Sequence, residues 1–339
     1  MHTKKIQIKN YKILVPLVMM VVLAIVFSAK SEYFLSSTNI INILREACVP
    51  GILAIGAAFV LAEGEIDLST GAMTGFLAML CAILLMKYYI VTALAIPLVI
   101  LAGCLCGLLN AFVISKLHLN SFIVTIAMQN VYRGLQVLIS FRDERGNVFT
   151  QPLTNPVFLG ISGEIGGVYY SIIILLFLVV AAQIVMKKTK LGLNIYAIGS
   201  NRDAAARSGV RVNVIRGTAF AIGGACCAVA AILSISRAGA ATASFGLGLE
   251  FDALCAIIIG GAAVMGPGSG DTSAVAALVG AVFIELLANG ITKLDLSSSL
   301  QSIVKGSALI FMILVDGIFF YIREKRRRNL STKKEAANE

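Results

Sequence analysis

The sequence has no tryptophan, only two histidines and six prolines in 339 residues, and just 14% of its residues are charged. Each scarcity closes off a class of chemistry. His2 and His118 stand alone, and without an H-E-x-x-H pair there is nothing to hold a protease zinc. No Gly-Lys dipeptide occurs, so there is no Walker A loop to cradle a nucleotide's phosphates. The seven cysteines include no C-x-x-C pair, and Cys48, Cys81, Cys104, Cys106, Cys226, Cys227 and Cys255 fall nearly all inside apolar stretches. They are expected to be reduced packing residues, neither a disulfide framework nor a metal site. Residues 266–270, Gly-Pro-Gly-Ser-Gly, miss the G-x-S-x-G spacing of a nucleophile turn, and Ser302 with Lys305 matches S-x-x-K, a pattern loose enough for chance.

What the chain has in abundance is apolar surface. Hydrophobic residues make up 58% of it and its mean hydropathy is +0.90, far from the balance of a soluble domain. The formal charge of +10 would suit a nucleic-acid partner only if the basic residues formed a patch, and they do not. Lys4, Lys5, Lys9 and Lys12 precede the first apolar run, while Arg323, Lys325, Arg326, Arg327 and Arg328 follow the last. By the positive-inside rule both termini are cytoplasmic and the crossings even in number, with membrane lipid and not nucleic acid as the surroundings. The first run, residues 13–29, lacks a small-x-small cleavage pattern after it and reads as a retained anchor.

A crossing helix needs roughly 20 apolar residues. Runs that approach this lie near 13–29, 47–62, 72–86, 89–114, 121–141, 167–186, 217–236, 252–265, 273–292 and 300–322. The expected fold is all-α, a polytopic transmembrane bundle of about ten spans. Some of these, 252–265 above all, are short enough to be broken or re-entrant. Residues 1–322 form one transmembrane domain, and 323–339 a basic, disordered cytoplasmic tail. Between the sixth and seventh runs, residues 187–216 carry Lys187, Lys188, Lys190, Arg202, Arg207, Arg211 and Arg216 against a single acid, Asp203. Six crossings before this loop and four after keep it on the side of both termini, while residues 142–166, of mixed charge, face outward. The 31 glycines are spread through the runs beside Ala, Ser and Thr, which lets helices approach closely in lipid.

Three places bring polar chemistry to the apolar body. Residues 63–71, Glu-Gly-Glu-Ile-Asp-Leu-Ser-Thr-Gly, set Asp67 and Ser69 either to hydrogen-bond a polyhydroxylated solute or gate, or to cap the next helix. Residues 129–134, Gln-Asn-Val-Tyr-Arg-Gly, put Asn130 and Arg133 into a span, where a charge costs at least about 3 kcal/mol and is expected to face inward. Arg133 reads as a pathway residue or a structural ion pair. Glu285, with Asn289 one turn on, either lines the pathway or acts as a buried brace. On the cytoplasmic side, Gly199 to Gly209 reads as a short helix. Ser200 and Asp203 have capping-box spacing, three alanines follow, and Gly209 suits a left-handed stop. Taken alone it is a surface helix or a grip for a cytoplasmic partner.

The order of several segments resembles the ribose-type permeases of bacterial ABC importers, a family that includes xylose, galactose and autoinducer-2 permeases. The matching stretches are residues 64–71, 107–116, 121–125, 132–134, Gly192 with 196–201 and Ala204-Ala205, 250–253, 259–261, and Gln301 through Lys305-Gly306 to Asp316. They run in order over almost the whole chain. Three departures stand out: Glu65 where a second glycine is usual, Ala262 onward where Ser and paired glycines are usual, and Ser121 where Pro is frequent.

The resemblance implies a non-enzymatic permease for a sugar or sugar-like solute in the bacterial cytoplasmic membrane. It implies an ABC ATPase subunit that binds ATP and Mg, no cofactor on this chain, an extracytoplasmic solute-binding protein, and a second permease copy or sister permease. It also makes Gly199, Ser200, Asn201, Asp203, Ala204, Ala205 and Gly209 the coupling helix that enters the ATPase. The rival expectation is an ion-gradient-driven secondary transporter with Asp67 or Glu285 as its proton or sodium site.

Overall fold

The computed structural model describes residues 11–262, 272–294, 300, 301, 303–307, 310, 311, 314, 317 and 321. The basic residues 4–9 and 323–328, the glycine-rich 266–270, Ser302 and Asp316 lie outside the described residues.

Helix α1 (Tyr11–Ser28) leads to α2 (Ser37–Glu46) and α3 (Cys48–Ala62), which continue one another through Ala47. Then follow α4 (Thr70–Met86), α5 (Thr92–Leu117) and α6 (Ser121–Ile139). A non-helical stretch holds the two-residue strands β1 (Gln151–Pro152), β2 (Glu164–Ile165) and β3 (Val168–Tyr169) and the single turn α7 (Pro156–Leu159). The chain returns through α8 (Tyr170–Lys188), α9 (Lys190–Ser200), α10 (Arg202–Arg207) and α11 (Val212–Ala238). After β4 (Ala240–Ala241) come α12 (Leu249–Ile259) and α13 (Ala274–Lys293).

Leucine, isoleucine and alanine dominate these helices, and polar residues fix their ends. Ser36, Asn120, Thr189, Asn201 and Ser273 each accept a backbone N–H of the first turn of α2, α6, α9, α10 and α13. The protein is an all-α membrane helical protein. Among the described residues, six helical segments are long and apolar enough to cross a bilayer: Ser37–Ala62, α5, α6, α8, α11 and α13. Helices coincide with the first nine apolar runs, but α1 and α4 are shorter, and α12 has only 11 residues.

Burial sorts the helices into layers. α3 is buried along nearly its whole length, with α11 packed on it and on α5. α5, α6 and α8 expose Leu101, Leu105, Phe112, Ile123, Leu138, Leu176 and Phe177, the outer faces of an apolar bundle. Contacts between central helices use small residues: a Cβ on Gly103 would collide with the Gly224 carbonyl, and one on Gly107 with that of Phe220. Lipid gives no hydrophobic reason for helices to associate, so close backbone approach supplies the attraction.

The two ends of the bundle differ. One gathers the end of α8, all of α9 and α10, and the start of α11, carrying the basic residues of 187–216. At the other end β1 pairs antiparallel with β4, tying the 140–169 stretch to the end of α11.

Candidate functional site

Between α3 and α4 the helix breaks for seven residues, 63–69. The break is held from outside, because Ile66 N donates to Ser121 Oγ and Leu68 N to Thr125 Oγ1, both at 3.2 Å. Asp67 Oδ1 accepts from Ser69 N at 2.8 Å and from Ser69 Oγ at 2.6 Å. Asn110 Nδ2 of α5 donates to Ser69 Oγ at 2.8 Å, and the Tyr132 hydroxyl of α6 lies 2.8 Å from Asn110 Oδ1. All four side chains are buried. Ser69 stands at the N-cap position of α4, yet its hydroxyl bonds Asp67 and Asn110 and caps no helix amide. Of the two alternatives for Ser69, the cap is thus replaced by a buried polar chain.

A second cluster lies along the next face of α6. Arg133 Nη1 donates to Gln136 Oε1 at 2.8 Å and to the Phe245 carbonyl at 2.7 Å. Gln136 Nε2 reaches the same carbonyl at 3.1 Å, and Gln129 Nε2 donates to Glu250 Oε1 at 2.9 Å. The segment carrying Phe245 and Glu250 dips into the bundle because α4 presents glycines to it. A Cβ on Gly71 would strike Glu250, and one on Gly75 would strike the Phe245 carbonyl and Gln136. Gly246, at φ +86°, makes the bend that a side chain would strain. The N-terminal ends of α4 and α12 therefore meet here, both carrying the partial positive charge of a helix start.

The cluster is incompletely satisfied. Among the described residues, the buried atoms Arg133 Nη2 and Glu250 Oε2 have no hydrogen-bond partner. Arg133 is no ion-pair residue here: its partners are an amide and a carbonyl, and no carboxylate lies within salt-bridge distance among the described residues. A buried polar atom left unpaired costs free energy, and such atoms in a native site are explained by a ligand, water or strain.

The other candidates lie elsewhere. Asn130 is exposed on α6 and donates to the Ile126 carbonyl. Asn289 and Asn39 exchange hydrogen bonds of 2.9 and 3.1 Å that join α13 to α2. Glu285 is half-buried on α13, in electrostatic range of Lys305, Asp252, Glu46 and Arg237. These pair with each other, Lys305 with Asp252 at 3.0 Å and Arg237 with Glu46. Gln129, Gln136, Asn110 and Glu250 join the site only in the folded chain. The spacing of Gln129, Arg133 and Gln136, at i, i+4 and i+7, marks one helix face and was the available signal.

At the basic end, the 199–209 segment is two helices and not one. α9 runs through Ser200, and Asn201, extended at φ −161°, caps α10 by accepting the Ala204 N–H at 2.9 Å. Ser200 is not the cap, because its backbone is still helical. Gly209 is left-handed at φ +86°, the stop its position suggested. Ala205 is buried against the bundle, so the outward face of α10 is Asp203, Ala204, Ala206 and Arg207. Below it a buried ionic cluster joins three helices. Arg216 of α11, 1% exposed, donates through Nε to Glu63 Oε1 at 3.2 Å, through Nη1 to Ser115 Oγ at 3.2 Å, and through Nη2 to Glu65 Oε1. No group of three or more His, Cys, Asp or Glu able to hold a metal occurs among the described residues.

Residues 39–313 match the family described as branched-chain amino acid transport system / permease component. The chain is 32% identical over 302 residues to the ribose import permease protein RbsC of Haemophilus influenzae, covering 88% of this chain and 90% of the relative. It is 31% identical to the probable ABC transporter permease protein YphD of Escherichia coli, covering 92% and 91%. It is 28% identical to the xylose transport system permease protein XylH of Haemophilus influenzae, covering 92% and 98%. No solved structure matches the chain.

Proposed function

The chain belongs to this family of ABC-importer permeases and is of the ribose type, and on that premise we propose that it carries a sugar or sugar-like polyhydroxylated solute through the gap between the starts of α4 and α12. The observation that supports this reading is the pair of buried atoms Arg133 Nη2 and Glu250 Oε2, one a donor and the other an acceptor, which have no hydrogen-bond partner among the described residues. A hydroxyl both donates and accepts, so a polyol can satisfy both, with Gln129 and Gln136 beside them. In the present arrangement Gly71 packs on Glu250, which closes the gap. A solute reaches the two atoms only when α4 and the 242–250 segment separate.

The engine lies elsewhere. A partner ABC ATPase binds ATP and Mg, this chain holds no cofactor, and an extracytoplasmic binding protein delivers the solute. A second permease copy or a sister permease completes the translocator. Residues 199–209 are the coupling segment, with Asp203, Ala204 and Arg207 of α10 gripping the ATPase. The basic end faces the cytoplasm, as the clustering of Lys and Arg in 187–216 favours, and both termini lie on that side. Ten crossings in one domain, 1–322, give this sidedness, with the 63–69 break and α12 as discontinuous elements, the form that transporter sites near the bilayer midplane take.

The test is uptake into proteoliposomes that hold the chain with its ATPase and binding protein, offered pentoses, hexoses, polyols and branched-chain amino acids. ATP-dependent accumulation of a polyhydroxylated solute, lost in Glu250→Gln, is the expected result. Transport of amino acids alone, or ion-gradient-driven uptake without the ATPase, overturns it.

A further inference from the structure

The ionic cluster at the basic end contains one acid too many. Glu63, Glu65 and Arg216 set two carboxyl groups against one guanidinium; the Glu63 side chain is fully buried while Glu65 is 17% exposed, and burial pushes the Glu63 carboxyl up to about 8 against the pull of Arg216. One Glu63 oxygen is bonded to Arg216, and the other, Oε2, has no hydrogen-bond partner among the described residues. A second cation is close at hand. Arg202, the first residue of α10, is exposed yet within electrostatic range of Glu63. The contact beneath it is close: a Cβ on Gly64, which is left-handed at φ +86°, would lie 3.7 Å from Gly199 Cα at the end of α9. From Glu65 the chain leads directly through Ile66 to Asp67 and Ser69.

We propose that Glu63, Glu65 and Arg216 form a two-position ionic latch, in which Arg202 engages Glu63 Oε2 when the ATPase closes on α10, and that the latch carries this movement into the 63–69 break. Resting on the reading of α10 as the coupling segment, it assigns to Glu63 and Arg202 a positioning role.

In the present state Arg216 holds Glu63 and Glu65 against Ser115, so the break is anchored to α11 and α5 together. Bringing Arg202 to Oε2 supplies a second cation in a place where water cannot screen it, and so favours the charged form of a carboxyl whose charge burial opposes. The interaction exists in one state only, and an interaction that differs between two states is what shifts their populations. The break then moves as one piece, because Ile66 N and Leu68 N are hydrogen-bonded to α6, which also carries Arg133 and Gln129.

The experiment uses the chain in complex with its ATPase and compares melting temperatures in the resting and vanadate-trapped complexes. Arg202→Ala, a change at an exposed position, is expected to leave the resting complex unchanged and to lower the melting temperature of the trapped complex. In a Glu63→Gln background, Arg202→Ala is expected to have no effect in either state, and Arg202→Lys to retain most of the wild-type behaviour. Uptake of radiolabelled D-ribose, D-xylose and D-galactose per ATP hydrolysed should fall about tenfold in Arg202→Ala, which corresponds to about 1.4 kcal/mol. An equal effect of Arg202→Ala in both backgrounds, or none in the trapped complex, overturns the latch. Ala204→Trp, on the outward face of α10, separates the two claims: if the ATPase still co-purifies and remains coupled, the coupling reading of α10 fails. If Ala204→Trp uncouples while Arg202→Ala has no effect, the latch alone fails.

Discussion

Two arginines in this bundle, Arg216 buried and Arg133 half-buried, keep different company. Arg216, at the basic end, has two carboxylates and a serine hydroxyl around its guanidinium. Arg133, midway along α6, has an amide and a backbone carbonyl, while the nearest acid in its cluster, Glu250, is bonded to Gln129 instead. Burying a charge is costly in both places, and the first offsets the cost with opposite charge. The second leaves Nη2 of the arginine and Oε2 of the acid without a partner among the described residues. The difference separates a brace from a binding site: where the protein completes its own pairs it gains a fixed geometry, and where it leaves them incomplete it leaves room for something that comes and goes.

The comparison is broken most forcefully at the brace. Arg216→Ala leaves the buried Glu63 and the partly exposed Glu65 without their cation, and is expected to cost about 3–5 kcal/mol, read as a lower unfolding midpoint of the detergent-solubilised protein. A loss below 1 kcal/mol would mean that the cluster is hydrated and not a brace.

At the site the expected pattern reverses. Glu250→Gln and Arg133→Gln each remove a charge that makes no salt bridge among the described residues, so stability should hold within about 1 kcal/mol or rise. Uptake should fall about 10- to 100-fold, the worth of one hydrogen bond to a charged group. Equal damage to stability and transport would make Arg133 and Glu250 structural, and erase the distinction from Arg216.

Why the sequence revealed one half of this and not the other has a physical basis. Apolar runs, glycine spacing and basic flanks are properties of single segments, so the helices, the break at 63–69 and the left-handed Gly209 were legible. Partners are a property of the folded chain. Glu63 and Arg216 are 153 residues apart, and Gln129 and Glu250 are 121 apart, so no local pattern announces either pair. Asn130 and Gln129 look alike in sequence. One helical step of 100° puts the first on the outer face and the second in the cluster. Ser200 and Asn201 are ambiguous in sequence for a related reason, since both residue types cap helices and only the backbone angle at 201 decides between them.

The Asp67 chain sharpens the comparison at an intermediate level, because it is buried like the brace but uncharged apart from Asp67. Tyr132→Phe removes one hydroxyl that bonds Asn110 Oδ1 and the Cys106 carbonyl. The expected cost is about 1 kcal/mol of stability, with uptake reduced by no more than severalfold. A loss of transport as deep as that of Glu250→Gln would extend the binding site down to Ser69.

The smallest effect is expected at Asn130, and it tests the helical face on which the whole assignment turns. Asn130 lies one residue from Gln129, carries the same chemistry and is exposed, its amide returned to its own helix at Ile126. Asn130→Ala should change stability by less than about 0.5 kcal/mol and leave uptake unaltered, whereas Gln129→Ala frees Glu250 and should depress uptake. If the neighbour on the outer face proved as damaging as the one in the cluster, α6 would be rotated relative to its partners during transport. Arg133 would then leave its carbonyl in some part of the cycle, and the two arginines would differ in mobility as well as in company.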